Sequence, residues 1–346
     1  MKKIFFSSFL IFSILACNTS KSGSAESENS YITTQGRAQG TTWHITYKSL
    51  KGEDRTREFD SLLNIIDNSL SVYNKNSLIT KINNNEDVAP DSLFVDVFNA
   101  SVYLNEISKG MFDPTVFPLV SAWGFDRQHD YKVLTQTQVD SLLTYVGISK
   151  CKIVNNRLVK QNPKITLIFN AIAQGYSSDI IARYLDNIGI HDYLVEVGGE
   201  VYAKGLNSKG TLWNVGIDLP VDGSTEEDRV IQTVAPLSDA ALCTSGNYRN
   251  FFIENGKKYS HELNALTGFP TRDSILSVSV LAKNACLADG LATAVMSLGL
   301  KDGYHLIDSL PDIEGFFVYT DKNGDYKTVS TSGFKTVNIS DDKEVK

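Results

Sequence analysis

The sequence predicts an α+β fold, one large domain of two intimately associated halves, and three observations lead there. Segments with strand-like composition and segments with helical period alternate without a regular βαβ rhythm. Ordinary globular composition begins at Tyr31 and continues for roughly 310 residues, enough for one large core or two packed halves. No internal repeat divides that span, and no apolar run within it is long enough to cross a membrane.

Residues 41–47 are β-branched and aromatic and read as a strand. Residues 59–70 place Leu62, Leu63, Ile65, Ile66 and Leu70 near helical period, and 78–82 read as a short helix after a polar turn. Residues 92–108 are again helical by period and stop at Lys109-Gly110. Phe112-Asp113-Pro114-Thr115 follows as a turn, because proline restricts the residue before it. Residues 118–125 form a loop or short helix, and 138–146 a helix ending at Gly147. A hairpin is expected over 154–168, turning at Gln161-Asn162-Pro163-Lys164. A helix over 173–188 closes at Gly189, and a strand over 193–197 runs into Gly198-Gly199, where backbones can approach closely. Strands follow at 213–217 and 278–282, and 315–319 with 326–330 flank Asp321-Lys322-Asn323-Gly324 as a hairpin.

The stretch 284–299 is rich in Ala and Leu and stops at Gly299, so it reads as a buried helix. Two polar residues interrupt it, Asp289 and Thr293, spaced i, i+4 and therefore one turn apart on one face. A carboxylate and a hydroxyl stacked there are oxygen donors of the kind a hard cation such as Mg²⁺ accepts. The alternative is structural: Asp289 favoured by the helix dipole in a first turn, Thr293 bonding back to a carbonyl.

The N-terminus carries Lys2-Lys3, an apolar run over 4–16, then Cys17. A basic start, a short apolar core and a small residue before the break make a secretory signal over 1–16. Ile14-Leu15-Ala16-Cys17 resembles the lipobox of bacterial lipoproteins, in which the cysteine is acylated and becomes the new N-terminus. Residues 17–30 are mostly Ser, Asn, Glu, Lys and Gly and read as a flexible tether. The expected product is a lipoprotein on the periplasmic side of a membrane, anchored through Cys17, with its domain over 31–340. The formal charge is −7 and no basic stretch interleaved with aromatics occurs, so nucleic acid is excluded as a partner. Cys151, Cys243 and Cys286 show no metal-ligand spacing; one disulfide, Cys243–Cys286, is compatible with export.

Three further stretches hold polar residues where a periodic element would place apolar ones. Ala171-Ile172-Ala173-Gln174-Gly175-Tyr176 lies at an expected strand-to-helix junction, where free N–H groups suit phosphate oxygens. Thr244-Ser245-Gly246-Asn247-Tyr248 reads as a tight turn with available donors. His261, read as lying on a strand, is a candidate general base or a hydrogen-bonded structural residue. No dinucleotide fingerprint after a strand, Walker loop, nucleophile elbow or HExxH occurs, which leaves the usual NAD, P-loop and hydrolase readings without support.

Taken in order, these stretches resemble the ApbE-type FAD:protein FMN transferases. The matching pieces are Gly40-Thr41-Thr42-Trp43, Ser71-Val72-Tyr73 and Gly110-Met111-Phe112-Asp113-Pro114-Thr115-Val116 leading to Trp123-Gly124-Phe125. Asn170 to Tyr176, Thr244 to Tyr248, His261 with Thr267-Gly268, and Ala288-Asp289-Gly290-Leu291-Ala292-Thr293 complete the set.

The resemblance implies an ApbE-like, T-fold-related arrangement of mixed sheets with packed helices. It makes Asp289 and Thr293 side-chain ligands of Mg²⁺, with Ala171 adding its backbone carbonyl. Gln39, Tyr73, Met111, Phe112, Asp113, Ile168, Gln174 and Ser245 then line the site for FAD, the substrate. His261 faces the reacting pyrophosphate as base, and Asp289 is a second catalytic candidate. The implied partner is an exported protein with an acceptor Thr or Ser, such as a subunit of a Na⁺-pumping NADH:quinone reductase or an Rnf-type complex. Two positions depart from the pattern: Gln174 stands where Lys or Glu is usual, and Ile168 where Asp is usual. Ile168 can neither accept a hydrogen bond nor move a proton. An Mg²⁺-dependent FAD pyrophosphatase and a non-catalytic FAD-binding lipoprotein are the alternatives.

Overall fold

The computed structural model describes residues 30–49, 51–126, 130–224, 229–248 and 250–337. The leader over 1–16, Cys17 and the tether up to residue 29 lie outside the described residues. In chain order the first elements are β1 (Ser30–Ala38), β2 (Thr41–Ser49), α1 (Thr56–Leu70), α2 (Leu78–Asn83) and α3 (Ser92–Ile107). Then come α4 (Phe117–Trp123), α5 (Gln136–Leu143), β3 (Cys151–Val154), β4 (Arg157–Lys160) and α6 (Ala173–Asn187). β5 (Tyr193–Val197), β6 (Glu200–Lys204), β7 (Trp213–Asp218), β8 (Ile231–Leu237), β9 (Ala240–Gly246), β10 (Phe251–Glu254) and β11 (Lys257–Ser260) follow. The chain closes with β12 (Ile275–Ala282), α7 (Ala285–Leu298), α8 (Leu300–Ser309), β13 (Glu314–Thr320) and β14 (Tyr326–Ser330).

Eight strands form one antiparallel sheet in the order β1-β2-β5-β6-β9-β12-β13-β14. Alternation along its central strands builds two cores. Cys243, Val278, Val280 and Phe317 turn to the face covered by α3, α6, α7 and α8. Leu242, Phe316 and Val318 turn to the other face, covered by the β7–β8 hairpin through Trp213 and Ile217. That period-2 partition is why register is fixed here: a one-residue slip would exchange the two cores.

Helix α7 is the centre of the helical layer, lying on β9 and β12 and crossed by α6 and α3. All of its residues except Leu287, Thr293 and Leu298 are buried. Its first-turn N–H groups all have partners: Asn284 Oδ1 accepts from Leu287 N at 2.8 Å, and Asp179 of α6 accepts from Ala285 N at 2.8 Å and Cys286 N at 2.9 Å. Two glycines permit the close crossings. A Cβ on Gly175 of α6 would stand 2.3 Å from Ala285 O, and one on Gly290 would stand 2.2 Å from Leu104 Cδ1 of α3.

Several expectations need correction. The hairpin over 154–168 is instead β3–β4, turning at Asn155-Asn156 with φ of 48° and 57°, the two left-handed residues a type I′ loop requires. After the turn near Pro163 the chain leaves the sheet, so α6 is preceded by an extended, unpaired segment that buries Ile165, Leu167 and Phe169. Thr244, Ser245 and Gly246 are not a tight turn but the end of β9, paired with β12. His261 lies just past β11, not on a strand. Cys151, Cys243 and Cys286 are free and buried, and Cys243 Sγ donates to Ala285 O at 3.4 Å instead of pairing with Cys286. Strands β1, β6, β8, β9 and β10 and helix α8 have no counterpart in the sequence reading.

Replacing Gly175 by Ala should raise helix propensity by about 1 kcal/mol, yet its methyl would press on α7 backbone, and overpacking costs typically 1–3 kcal/mol. A net loss is therefore expected, read as a lower urea midpoint and a lower Tm.

Candidate active site

A cavity of about 500 Å³ opens where the C-terminal end of β9, the middle of α7 and three connecting segments meet. Its floor comes from the helix crossing. Asp289 is only 6% exposed, and its Oδ2 accepts from Gly175 N at 3.0 Å. Gly175 is the third residue of α6, so this N–H is one of the helix's unpaired first-turn donors. Thr293, one turn further along α7, sets its Oγ1 3.4 Å from Ser245 Oγ of β9. Ala171, two residues before α6, lines the same floor.

Buried carboxyl groups collect here without a Lys or Arg partner among the described residues. Burial, then Glu200, raise the Asp289 pKa well above its ordinary value, with Glu262 and Asp179 adding to the rise. Glu200 opens β6 and is itself lifted by burial to about 8, against which the Cys243 thiol and Thr244 N, at 3.3 Å, act as donors. Among the described residues no Lys or Arg pairs with Asp289 or Glu200. Such a floor is costly unless something positive arrives. No three His, Cys, Asp or Glu side chains cluster as a metal site among the described residues. A cation here would complete its shell with the Asp289 carboxylate, the Thr293 hydroxyl, the Ala171 carbonyl and ligand oxygens. That all-oxygen donor set fits a hard divalent ion such as Mg²⁺.

The remaining walls are held mainly by backbone. Met111, Phe112 and Asp113 line the cavity, but the Asp113 carboxylate is occupied internally. It accepts from Thr115 N at 2.8 Å, Thr115 Oγ1, Ile148 N at 2.9 Å and Asn105 Nδ2 at 3.1 Å, so it fixes the loop and offers the cavity little. Ile168 N donates to Pro114 O at 2.8 Å, which ties the segment before α6 to that loop, and the Ile168 side chain lines the cavity. Asn170 Nδ2 donates to the Tyr73 hydroxyl at 2.8 Å. Gln174 packs on Gly198, whose φ of 66° and missing side chain leave room for it. Gln39 is the one predicted residue not on the main cavity: it lines an adjoining recess of about 170 Å³ shared with Tyr73, Asn170 and Gln174, and its Nε2 donates to Ser177 Oγ at 2.7 Å.

His261 hangs over the cavity between two fixed points. Its backbone N–H and its Nδ1–H both donate to Asn250 O, at 3.1 and 3.0 Å. A carbonyl can only accept, so Nδ1 carries a proton, and Nε2, 3.3 Å from Glu262 Oε1, is the nitrogen left to exchange one. The structure thus gathers Tyr73, Met111, Phe112, Asp113, Ile168, Ala171, Gln174, Ser245, His261, Asp289 and Thr293 around one space. Sequence reading missed Glu200, Glu262 and Asn250. The signal was a Glu directly after Gly198-Gly199 and another directly after His261, but a lone Glu in sequence ordinarily means a solvated one.

A family model described as the ApbE family matches residues 39–317. The FAD:protein FMN transferase of Vibrio cholerae is 33% identical over 308 residues, covering 87% of this chain and 90% of that protein. That of Haemophilus influenzae is 31% identical over 324 residues, covering 90% and 92%. Among solved structures, the apo flavinyl transferase ApbE of Pseudomonas stutzeri gives a TM-score of 0.79 at 30% identity, covering 88% of this chain and 95% of that one. The flavin transferase ApbE from Vibrio cholerae gives 0.77 at 30% identity, covering 88% and 98%. A match over 39–317, with relatives this similar along nearly their whole length, makes this chain a member of the ApbE family.

Proposed function

We propose that this protein transfers FMN from FAD to a Thr or Ser hydroxyl of an exported target protein and releases AMP. The observation that carries the reading is the floor of the cavity: a buried carboxylate without a Lys or Arg partner among the described residues, a hydroxyl one turn away and a carbonyl, all oxygen, beside a histidine whose Nε2 faces the cavity acids. Relatives named FAD:protein FMN transferase support flavin transfer from FAD. A bound Mg²⁺ would supply positive charge against the phosphate oxygens as negative charge develops on the leaving AMP.

The chain's own residues do the rest. Asp289, Thr293 and the Ala171 carbonyl hold the cation site at the cavity floor. His261 Nε2 takes the proton of the incoming hydroxyl while its oxygen bonds to the FMN phosphorus. The bond to AMP breaks with its electron pair leaving on the AMP phosphate, and the proton is returned to solvent. General bases of this kind contribute typically 10²–10⁴-fold. Asp289 is better spent as a ligand than as a base, since bound cations weaken a carboxylate's hold on protons.

The reading includes export, with 1–16 as lipoprotein signal and Cys17 as the acylated residue on the periplasmic side. No helix among the described residues is long and apolar enough to cross a membrane. The target is an extracytoplasmic protein such as a subunit of a Na⁺-pumping reductase or an Rnf-type complex.

Incubation with FAD, Mg²⁺ and a Thr-containing acceptor peptide should yield a flavinylated peptide and AMP by mass spectrometry. Free FMN with AMP would replace transfer by hydrolysis, and intact bound FAD would leave a binding protein. Asp289→Asn keeps an acceptor for Gly175 N–H but loses the charge; losing several kcal/mol of charge stabilisation should slow metal-dependent transfer on the order of 10²-fold or more, with circular dichroism unchanged.

Stability should report the same crowding. Glu200 and Asp179 titrate near about 8 and about 6 in the fold, above ordinary carboxyl values, because burial disfavours their charged forms. A group raised in the fold takes up its proton before the unfolded chain does, so it favours folding as pH falls. The Tm of chelator-treated protein should therefore rise as pH falls from above about 8 to below about 6. Added Mg²⁺ at the alkaline end should restore part of that gain; a flat profile with and without metal would remove the crowded-floor account.

A further inference from the structure

The cavity holds one carboxylate that neither the cation site nor the loop scaffold uses, Glu262. Its side chain is 8% exposed, and its Oε1 lies 3.3 Å from His261 Nε2. The other acidic walls are committed: Asp289 to the cation floor, Asp113 to four protein donors, Asp126 to Ser121 Oγ at 2.9 Å, and Glu200 beside Thr244 N. Ile168, on the same cavity, has no proton to give or take.

The backbone around Glu262 is pinned on both sides. His261 N–H donates to Asn250 O at 3.1 Å, Thr271 N–H donates to Glu262 O at 2.8 Å, and Ser297 Oγ of α7 donates to Leu263 O at 3.1 Å. Neighbouring side chains so fixed do not meet by chance rotation. With Nδ1–H committed to Asn250 O, neutral His261 offers only a lone pair at Nε2, and a carboxylate oxygen is also an acceptor. Two acceptors at this separation are complementary only with a proton between them. Burial lifts the Glu262 carboxyl above its ordinary range while the adjacent imidazole pulls it down.

We propose that Glu262 is a positioning residue for the transfer reaction: its carboxylate stabilises the imidazolium formed when His261 Nε2 takes the acceptor hydroxyl's proton. This deepens the transferase reading and rests on it. The balance is the one already given. The hydroxyl proton goes to Nε2, the new O–P bond forms to FMN, the P–O bond to AMP breaks, and Glu262 exchanges no atom with substrate. Glu262 acts only through His261, as the acidic neighbour of its working nitrogen, while Asn250 O holds Nδ1.

The test is a double-mutant cycle on His261→Ala and Glu262→Gln, with FAD affinity and Tm measured beside kcat and KM. Glu262→Gln should lower kcat by roughly 10- to 100-fold with KM for FAD and Tm little changed, and in the His261→Ala background it should cost less than about twofold. Glu262→Asp, charged but one methylene shorter, should fall between wild type and Glu262→Gln. Transfer by Glu262→Gln at the wild-type rate, or an equal loss in both backgrounds, overturns the assignment. If Glu262→Gln does not fold, the same cycle with Glu262→Asp decides by the same additivity criterion. A wild type that makes only free FMN and AMP overturns the transferase reading but not the pairing, since the cycle is then read on hydrolysis. A wild type that does neither overturns both.

Discussion

Helices α6 and α7 cap each other. Asp179 of α6 takes the first two N–H groups of α7, and Asp289 of α7 takes the third N–H group of α6. Each carboxylate also sits at the positive end of the other helix's dipole. This reciprocity is possible only because Gly175 lets the two backbones meet where any side chain would collide with Ala285 O. The rest of the site follows from that contact. It sets the depth of Asp289, aims Thr293 at Ser245 on the end of β9, and leaves Ala171 at the floor just ahead of α6. A helix crossing of ordinary spacing would leave the same residues too far apart to share one ion.

Buried carboxylates in this protein fall into two groups, separated by how their oxygens are satisfied. Asp113 and Asp179 accept backbone N–H groups and serve the scaffold. Asp289, Glu200 and Glu262 are buried but accept fewer backbone N–H groups, at most one each, and two of them bear on the third. Burying a charge without a partner costs several kcal/mol, so three such groups on one cavity are not a packing accident. They leave the floor electrostatically matched to a positively charged group.

The sequence carried the helices well, because α1, α3, α6 and α7 have clear apolar period and glycine or polar stops. It also carried the floor, since two polar residues four apart in an apolar helix stand out whatever the fold. Strands were harder. β1 is mostly half-buried and polar, β8 carries a proline and no alternation, and β6 follows a Gly-Gly turn after only five residues of β5. The misplaced hairpin has a specific cause: Pro163 advertises a turn, whereas Asn155-Asn156 makes one without glycine. Glu200 and Glu262 were illegible for a different reason. Their burial is a property of the assembled cavity, set by segments far away in the chain.

Ile168 bears on how the acid–base work is divided. The resemblance places an aspartate there, and its loss would matter most if that side chain held the wall in place. In this structure the wall is held by backbone instead: Ile168 N–H bonds Pro114 O, and the loop beyond is organised by Asp113. The isoleucine therefore bears on the chemistry of the wall, while backbone holds the segment in place. An aspartate at that point would add a fourth underpaired carboxylate to a floor already rich in them, and the cost of keeping it charged would rise with each neighbour. An apolar residue there relieves the crowding, and the proton-handling groups left in reach are those past β11, His261 and the glutamate beside it.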